Sequence, residues 1–100
     1  MRSTTMLSVT SAKYLGDYQV KITFDNGKIG TANFREVVFN DKRTIFLELQ
    51  KEDEFKKFKV DRSTLIWPNG LDLAPEFLFF VAFKKETEFY NQFKEWGYVD

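Results

Sequence analysis

Hydrophobic residues change period along this chain, and each change predicts an element. Leu7 and Val9 alternate with polar neighbours before Ser11, the apolar-in, polar-out spacing of an edge strand. Gly16-Asp17 then supplies a bend. Tyr18, Val20, Ile22 and Phe24 fall at period two, with Gln19, Lys21, Thr23 and Asp25 opposite, so residues 18–24 read as the clearest strand. Asn26-Gly27 follows at once. That pair is the strongest short hairpin signal, because Gly takes a positive φ without a Cβ clash and Asn tolerates one. Residues 28–34 make the return strand, with Gly30, Ala32 and Phe34 on one face. Asn33 is placed to cap a short turn containing Arg35, Glu36 and Val37.

Asn40-Asp41-Lys42 marks a turn. Ile45, Leu47 and Leu49 then alternate with Phe46, Glu48 and Gln50, which predicts a strand, although Leu and Glu also suit a helix. Residues 51–54 read as a polar turn, or as one helical turn that carries Phe55 inward. A strand pattern resumes where Lys57 and Lys59 alternate with Phe58 and Val60; Asp61-Arg62 turns the chain, and residues 63–67 are again β-rich. Trp67, Pro68, Asn69, Gly70, Asp72, Pro75 and Glu76 then crowd both prolines and two turn formers into one short stretch. Such density predicts a sharply shaped turn into a new element. Asp72 or Ala74 would start a helix there, with Pro75 in its first turn. Phe77, Phe79, Phe80 and Phe83 cannot share one face of it, so it is either buried on two sides or partly not helical. Phe89, Phe93 and Trp96 recur at four and three, predicting an amphipathic helix over residues 85–96 that stops at Gly97.

The pattern adds up to an α+β fold: a small antiparallel or mixed β-sheet, short helices and an added C-terminal amphipathic helix. Residues 1–83 form the compact domain. Residues 84–100 are a helical extension packed on that domain or on a second copy.

Composition narrows the chemistry more than the fold. Of 100 residues, 43% are apolar and twelve are Phe. Each buried aromatic removes roughly 150–250 Å² from water, so a single small core is well supplied. Fifteen basic residues balance fifteen acidic ones, which argues against a duplex-wide phosphate surface. The chain has neither Cys nor His. That removes thiol nucleophiles, histidine bases and the usual zinc ligands, and no cofactor is expected. The cytoplasm is the expected location. Arg2 is not followed by a long apolar run, and the longest such run, residues 77–83, is well short of a membrane span of roughly 20 residues.

Candidate sites are few. Glu52, Asp53 and Glu54 are adjacent, so their side chains diverge and suit a solvated turn better than acid–base work. Asp72 and Glu76 lie four apart and could share a helix face as a metal pair, but a helix cap beside a surface charge explains them more simply. The glycines match no nucleotide-binding pattern, and Ser3, Ser8, Ser11 and Ser63 lack an activating base. Lys57, Lys59 and Arg62 would form a small positive strip for an anion or single-stranded nucleic acid if they left one strand face. Phe58 alternates with the lysines and should point inward, which favours a plain solvated face. Trp67, Phe77 and Phe80 are candidates to line a pocket between the sheet and the segment they bound. Tyr18, Trp67 and Trp96 are candidate interface anchors, and the Phe89, Phe93, Trp96 stripe needs a surface to cover it.

Val60-Asp61 and the string from Thr64 through Trp67-Pro68-Asn69-Gly70 to Asp72-Leu73-Ala74-Pro75-Glu76 resemble the signature of a bacterial family catalogued as domain of unknown function 2442. The strand at residues 18–24, its Asp25-Asn26-Gly27-Lys28 turn and Ile29-Gly30 are similar to that family too, whose turn usually reads Asp-Gly-Glu or similar. The resemblance covers residues 7–78. It implies a compact α+β domain, sometimes followed by a helix-turn-helix, and sometimes encoded beside another small protein as toxin–antitoxin pairs are. It implies no catalytic residues. The chain departs from the pattern after Phe80, where its tail is too short for a helix-turn-helix, and this weakens any DNA-binding role.

The expected function is therefore a non-enzymatic protein-interaction module. It would bind a small protein partner, as a toxin–antitoxin-like accessory subunit does, or its own copy. A small-molecule ligand-binding domain is the first alternative, and weak nucleic-acid binding the second.

Overall fold

Six short strands are arranged as two antiparallel meanders in a computed structural model that describes residues 7–99. The expectations resting on Arg2 and Ser3 lie outside the described residues. The first meander is β1 (Val9–Gly16), β2 (Gln19–Phe24) and β3 (Ile29–Asn33), in that order. The second is β4 (Lys59–Asp61), β5 (Thr64–Ile66) and β6 (Asp72–Leu73). Between them lie the short helices α1 (Arg35–Asn40), α2 (Thr44–Leu47) and α3 (Glu52–Phe55), with a 3-10 turn at Glu48–Gln50. After β6 come α4 (Pro75–Phe83), a 3-10 turn at Thr87–Phe89 and α5 (Tyr90–Trp96). The α+β class, the small antiparallel sheets and the C-terminal helix are as the residue pattern predicts.

Both meanders use the same pair of turns. The first hairpin of each turns on two residues with positive φ, Asp17 and Tyr18 (52° and 62°) in one and Arg62 and Ser63 (52° and 71°) in the other. Such turns match the right-handed strand twist. The second hairpin of each turns on three residues, Asp25-Asn26-Gly27 or Pro68-Asn69-Gly70, in which only the glycine has positive φ, 85° or 96°. Each glycine N–H donates to the carbonyl three residues earlier, Phe24 or Trp67, at 3.0 Å. Each asparagine Oδ1 accepts the N–H two residues on, from Lys28 at 3.0 Å or Leu71 at 3.1 Å. Asn26 therefore serves through its side chain and not through a positive φ, which corrects the expected two-residue turn.

Other corrections have local reasons. Residues 45–50 are helical and not a strand, because burying Phe46 and Leu49, three apart, outweighs the Ile45-Leu47-Leu49 alternation; Leu47 is exposed. Tyr18 is a turn residue and not the start of β2, although its ring is buried. Lys57 precedes β4, which begins only at Lys59. Asp72 is in strand β6 and caps no helix; Ala74 precedes the helix and Pro75 opens it. The tail is a 3-10 turn followed by α5, and not one helix from residue 85. Gly97, at φ 88°, ends α5 as its position suggests, and Tyr98 N–H closes back on the Phe93 carbonyl at 2.9 Å.

Helix α4 resolves the four-phenylalanine puzzle by being buried on two sides. On one side Phe79 meets Phe24 of β2 with ring centroids 5.0 Å apart. On the other, Phe80 meets Phe93 at 5.1 Å and Tyr98 at 5.0 Å. The close approach to β3 depends on Gly30, where a Cβ would fall 2.8 Å from Phe83 Cζ and 3.2 Å from Ala82 Cβ. A separate aromatic group, Phe34, Phe55, Phe58 and Trp67, fills the space beneath the short helices.

Candidate functional site

The residues of the Trp67-to-Glu76 string mainly shape the fold; of them, Pro68 and Asn69 line a cavity of about 390 Å³ with Glu48, Leu49, Lys51 and Glu54. Trp67 is buried, and its indole N–H donates to the Phe55 carbonyl at 2.7 Å, which pins the end of α3 to the residue that follows β5. Asn69 Nδ2 donates to the Ile45 carbonyl at 3.0 Å and to Glu48 Oε1 at 2.9 Å, tying the turn to α2. Pro68 and Gly70 give that turn its geometry. Asp72 and Glu76 belong to different elements, so they do not share a helix face. Among the described residues no group of three or more carboxylates could hold a metal ion.

Of the pocket candidates, Phe77 and Phe80 meet with ring centroids 6.4 Å apart, but Trp67 packs elsewhere. Trp67 rings with Phe34, Phe55 and Phe58, whereas Phe77 and Phe80 ring with Tyr98, at 5.8 and 5.0 Å. The three basic residues do not leave one strand face. Lys57 pairs with Glu54 at 2.8 Å before the strand begins, Lys59 is on β4, and Arg62 occupies the turn after it. Of the tail stripe, Phe93 is 1% exposed within the chain's own core, with Phe89 and Trp96 partly buried beside it. These three residues thus cover α4 of the same chain.

An open strand edge lies on the first meander. In an antiparallel ladder, opposed residues alternate between pairs that exchange hydrogen bonds and pairs that do not. Phe24 N–H donates to Lys28 O, and Phe34 N–H donates to Tyr18 O, both at 2.9 Å. With Ile22 opposite Gly30 and Val20 opposite Ala32, these bonds fix the phase. Lys28, Gly30, Ala32 and Phe34 bond to β2. The N–H and C=O groups of Ile29, Thr31 and Asn33 point the other way, and nothing among the described residues meets them. The β1 edge, by contrast, lies beside the second meander, with Val9 N–H donating to Ser63 O at 2.9 Å.

A groove of about 490 Å³ runs along the β3 edge, with Gly30, Thr31 and Asn33 on one wall and Ala82, Phe83 and Lys85 on the other. Arg35, Lys84, Glu36 and Glu86 complete its rim. Arg35 binds Asp17 at 2.5 Å, and this hydrogen bond, then the carboxylate charge, raises the guanidinium pKa. Lys84 stands 3.9 Å from Glu36.

The outer face of the meander is uncovered. It carries Ser11 and Lys13 from β1, Lys21 and Thr23 from β2, and Ile29 and Thr31 from β3. Lys13 stands directly opposite Lys21, and no carboxylate pairs with either among the described residues. Ile29 is 54% exposed at one end of the face. None of Lys13, Lys21, Ile29, Thr31 or Asn33 stands out as a site in the sequence. One signal was present: a third strand followed at once by a helix ends its meander at an edge, and Ile29 is a β-branched apolar residue on the polar side.

The chain matches the family described as Protein of unknown function (DUF2442) over residues 9–83. Comparison with curated proteins and with solved structures finds no match. With most of its length matched, the chain belongs to that family.

Proposed function

We propose that this DUF2442 protein is a non-enzymatic interaction module whose β3 edge takes up an extended strand of a small partner protein. One observation carries the reading: Ile29, Thr31 and Asn33 turn their backbone donors and acceptors to the open β3 edge, and Thr31 and Asn33 line the groove beside it. An added strand would satisfy these groups in register, which is how edge strands bind peptides. The absence of Cys and His supports a role in binding and not in reaction. No helix of the described residues is long and apolar enough to cross a membrane, which accords with a cytoplasmic role. The family resemblance supports a partner encoded nearby, in a toxin–antitoxin-like arrangement.

Thr31→Pro tests the reading. Proline removes one N–H, and here that N–H points to the open edge, so the β2 ladder keeps all its bonds. The expected result is an unchanged melting temperature with loss of the polypeptide that co-purifies stoichiometrically from the native cell. In the complex, amide exchange at Ile29, Thr31 and Asn33 slows. A stoichiometric partner kept by Thr31→Pro overturns the proposal, as does a protein that is always a solitary monomer.

A further inference from the structure

We infer that the strand received at β3 is acidic, with a carboxylate opposite Thr31 and an apolar residue opposite Ile29; this rests on the strand-addition reading above. Cross-strand register makes rows on the outer face. One row runs Lys13, Lys21, Thr31, and its next place is a residue of the added strand. Neighbouring strands are about 4.8 Å apart, so that residue lies about 10 Å from Lys21 across a small threonine. A lysine and a glutamate side chain together span that gap. Two lysines opposed without a carboxylate repel one another, and an acid completing their row relieves the repulsion. The adjacent row runs Thr23, Ile29, so its open place sits beside the exposed isoleucine and suits an apolar residue.

The groove side is neutral in charge: Arg35 is paired with Asp17, Lys84 stands near Glu36, and Lys85 is balanced by Glu86, so the charge preference comes from the outer face. A second copy of β3 fits poorly. Pairing about a twofold axis at Thr31 would set Ile29 against Asn33 and bring two lysine rows to one seam with no carboxylate. The occupant is therefore a different polypeptide.

The test is selection of a phage-displayed random peptide library on the immobilised full chain, run in parallel on Thr31→Pro and Lys21→Glu. The native chain should enrich peptides with Asp or Glu two positions from an apolar residue, and Thr31→Pro should lose them. Lys21→Glu should favour Lys or Arg at the acidic position and weaken a chosen acidic peptide about fivefold at low salt, the scale of an exposed ion pair. That difference should shrink as salt rises. Peptides that depend on Thr31 but show no acidic bias, or that ignore Lys21→Glu, overturn the charge inference and leave strand addition standing. No Thr31-dependent peptides at all would overturn both.

Discussion

Asn69 holds three segments with one side chain: its own turn through Leu71, α2 through Ile45, and the 3-10 turn through Glu48. Asn69→Ala should cost about 1–2 kcal/mol in denaturant unfolding, since the turn and the α2 anchor are lost together. Two tyrosines set an alkaline limit. Burial first, then a hydrogen bond to Glu52, raises the pKa of Tyr14; burial, then the charge of Glu76, raises that of Tyr98. Both phenols keep their protons in the fold at pH values where the unfolded chain loses them. Their contribution is full below about pH 10 and is lost as pH rises through the folded values. Unfolding free energy should therefore decline as pH rises past about 10, and less steeply in Tyr14→Phe. At this scale the sequence was legible where a residue acts on its own backbone, as Gly27, Gly70, Pro75 and Gly97 do. It was silent on Asn69 and Ile45, whose contact spans 24 positions.

Among the elements, β2 and its return strand were readable because period two and a turn signal agree. Residues 45–50 were not, because Phe46 and Leu49 fit a short helix as well as their neighbours fit a strand, and only burial decides. The packing of α4 on β3 was equally hidden. It depends on Gly30, which in the sequence is one small residue in a strand. Gly30→Ala should cost about 1–3 kcal/mol, because the Phe83 ring that must move is held by Phe24, Phe79 and Phe89. Thermal melts of Gly30→Ala with and without Phe83→Leu check this, and the smaller side chain should recover part of the loss. The open β3 edge belongs to the same scale. Reading it needs the ladder phase, which follows from pairing and not from hydrophobicity.

For the whole molecule, the family match ends at residue 83, yet the core does not. Phe93 packs on Phe79 and Phe80 from beyond that span. Phe93→Ala should cost about 3–5 kcal/mol, like other buried phenylalanines, with the loss seen by chemical denaturation across the entire fold and not in the tail alone. The stripe was legible in the sequence, but its covering surface was not, since α4 offers apolar residues on every side. Both long hairpin loops end in Asn-Gly, the dipeptide in which the following amide nitrogen most readily attacks the side-chain carbonyl carbon, expels ammonia and closes a succinimide. Here each of those nitrogens, on Gly27 and Gly70, already donates a hydrogen bond inside its turn. Chemical ageing of the polypeptide is therefore gated by how often it opens, and a less stable variant would turn asparagine to aspartate or isoaspartate sooner, at the two places where an amide is doing structural work.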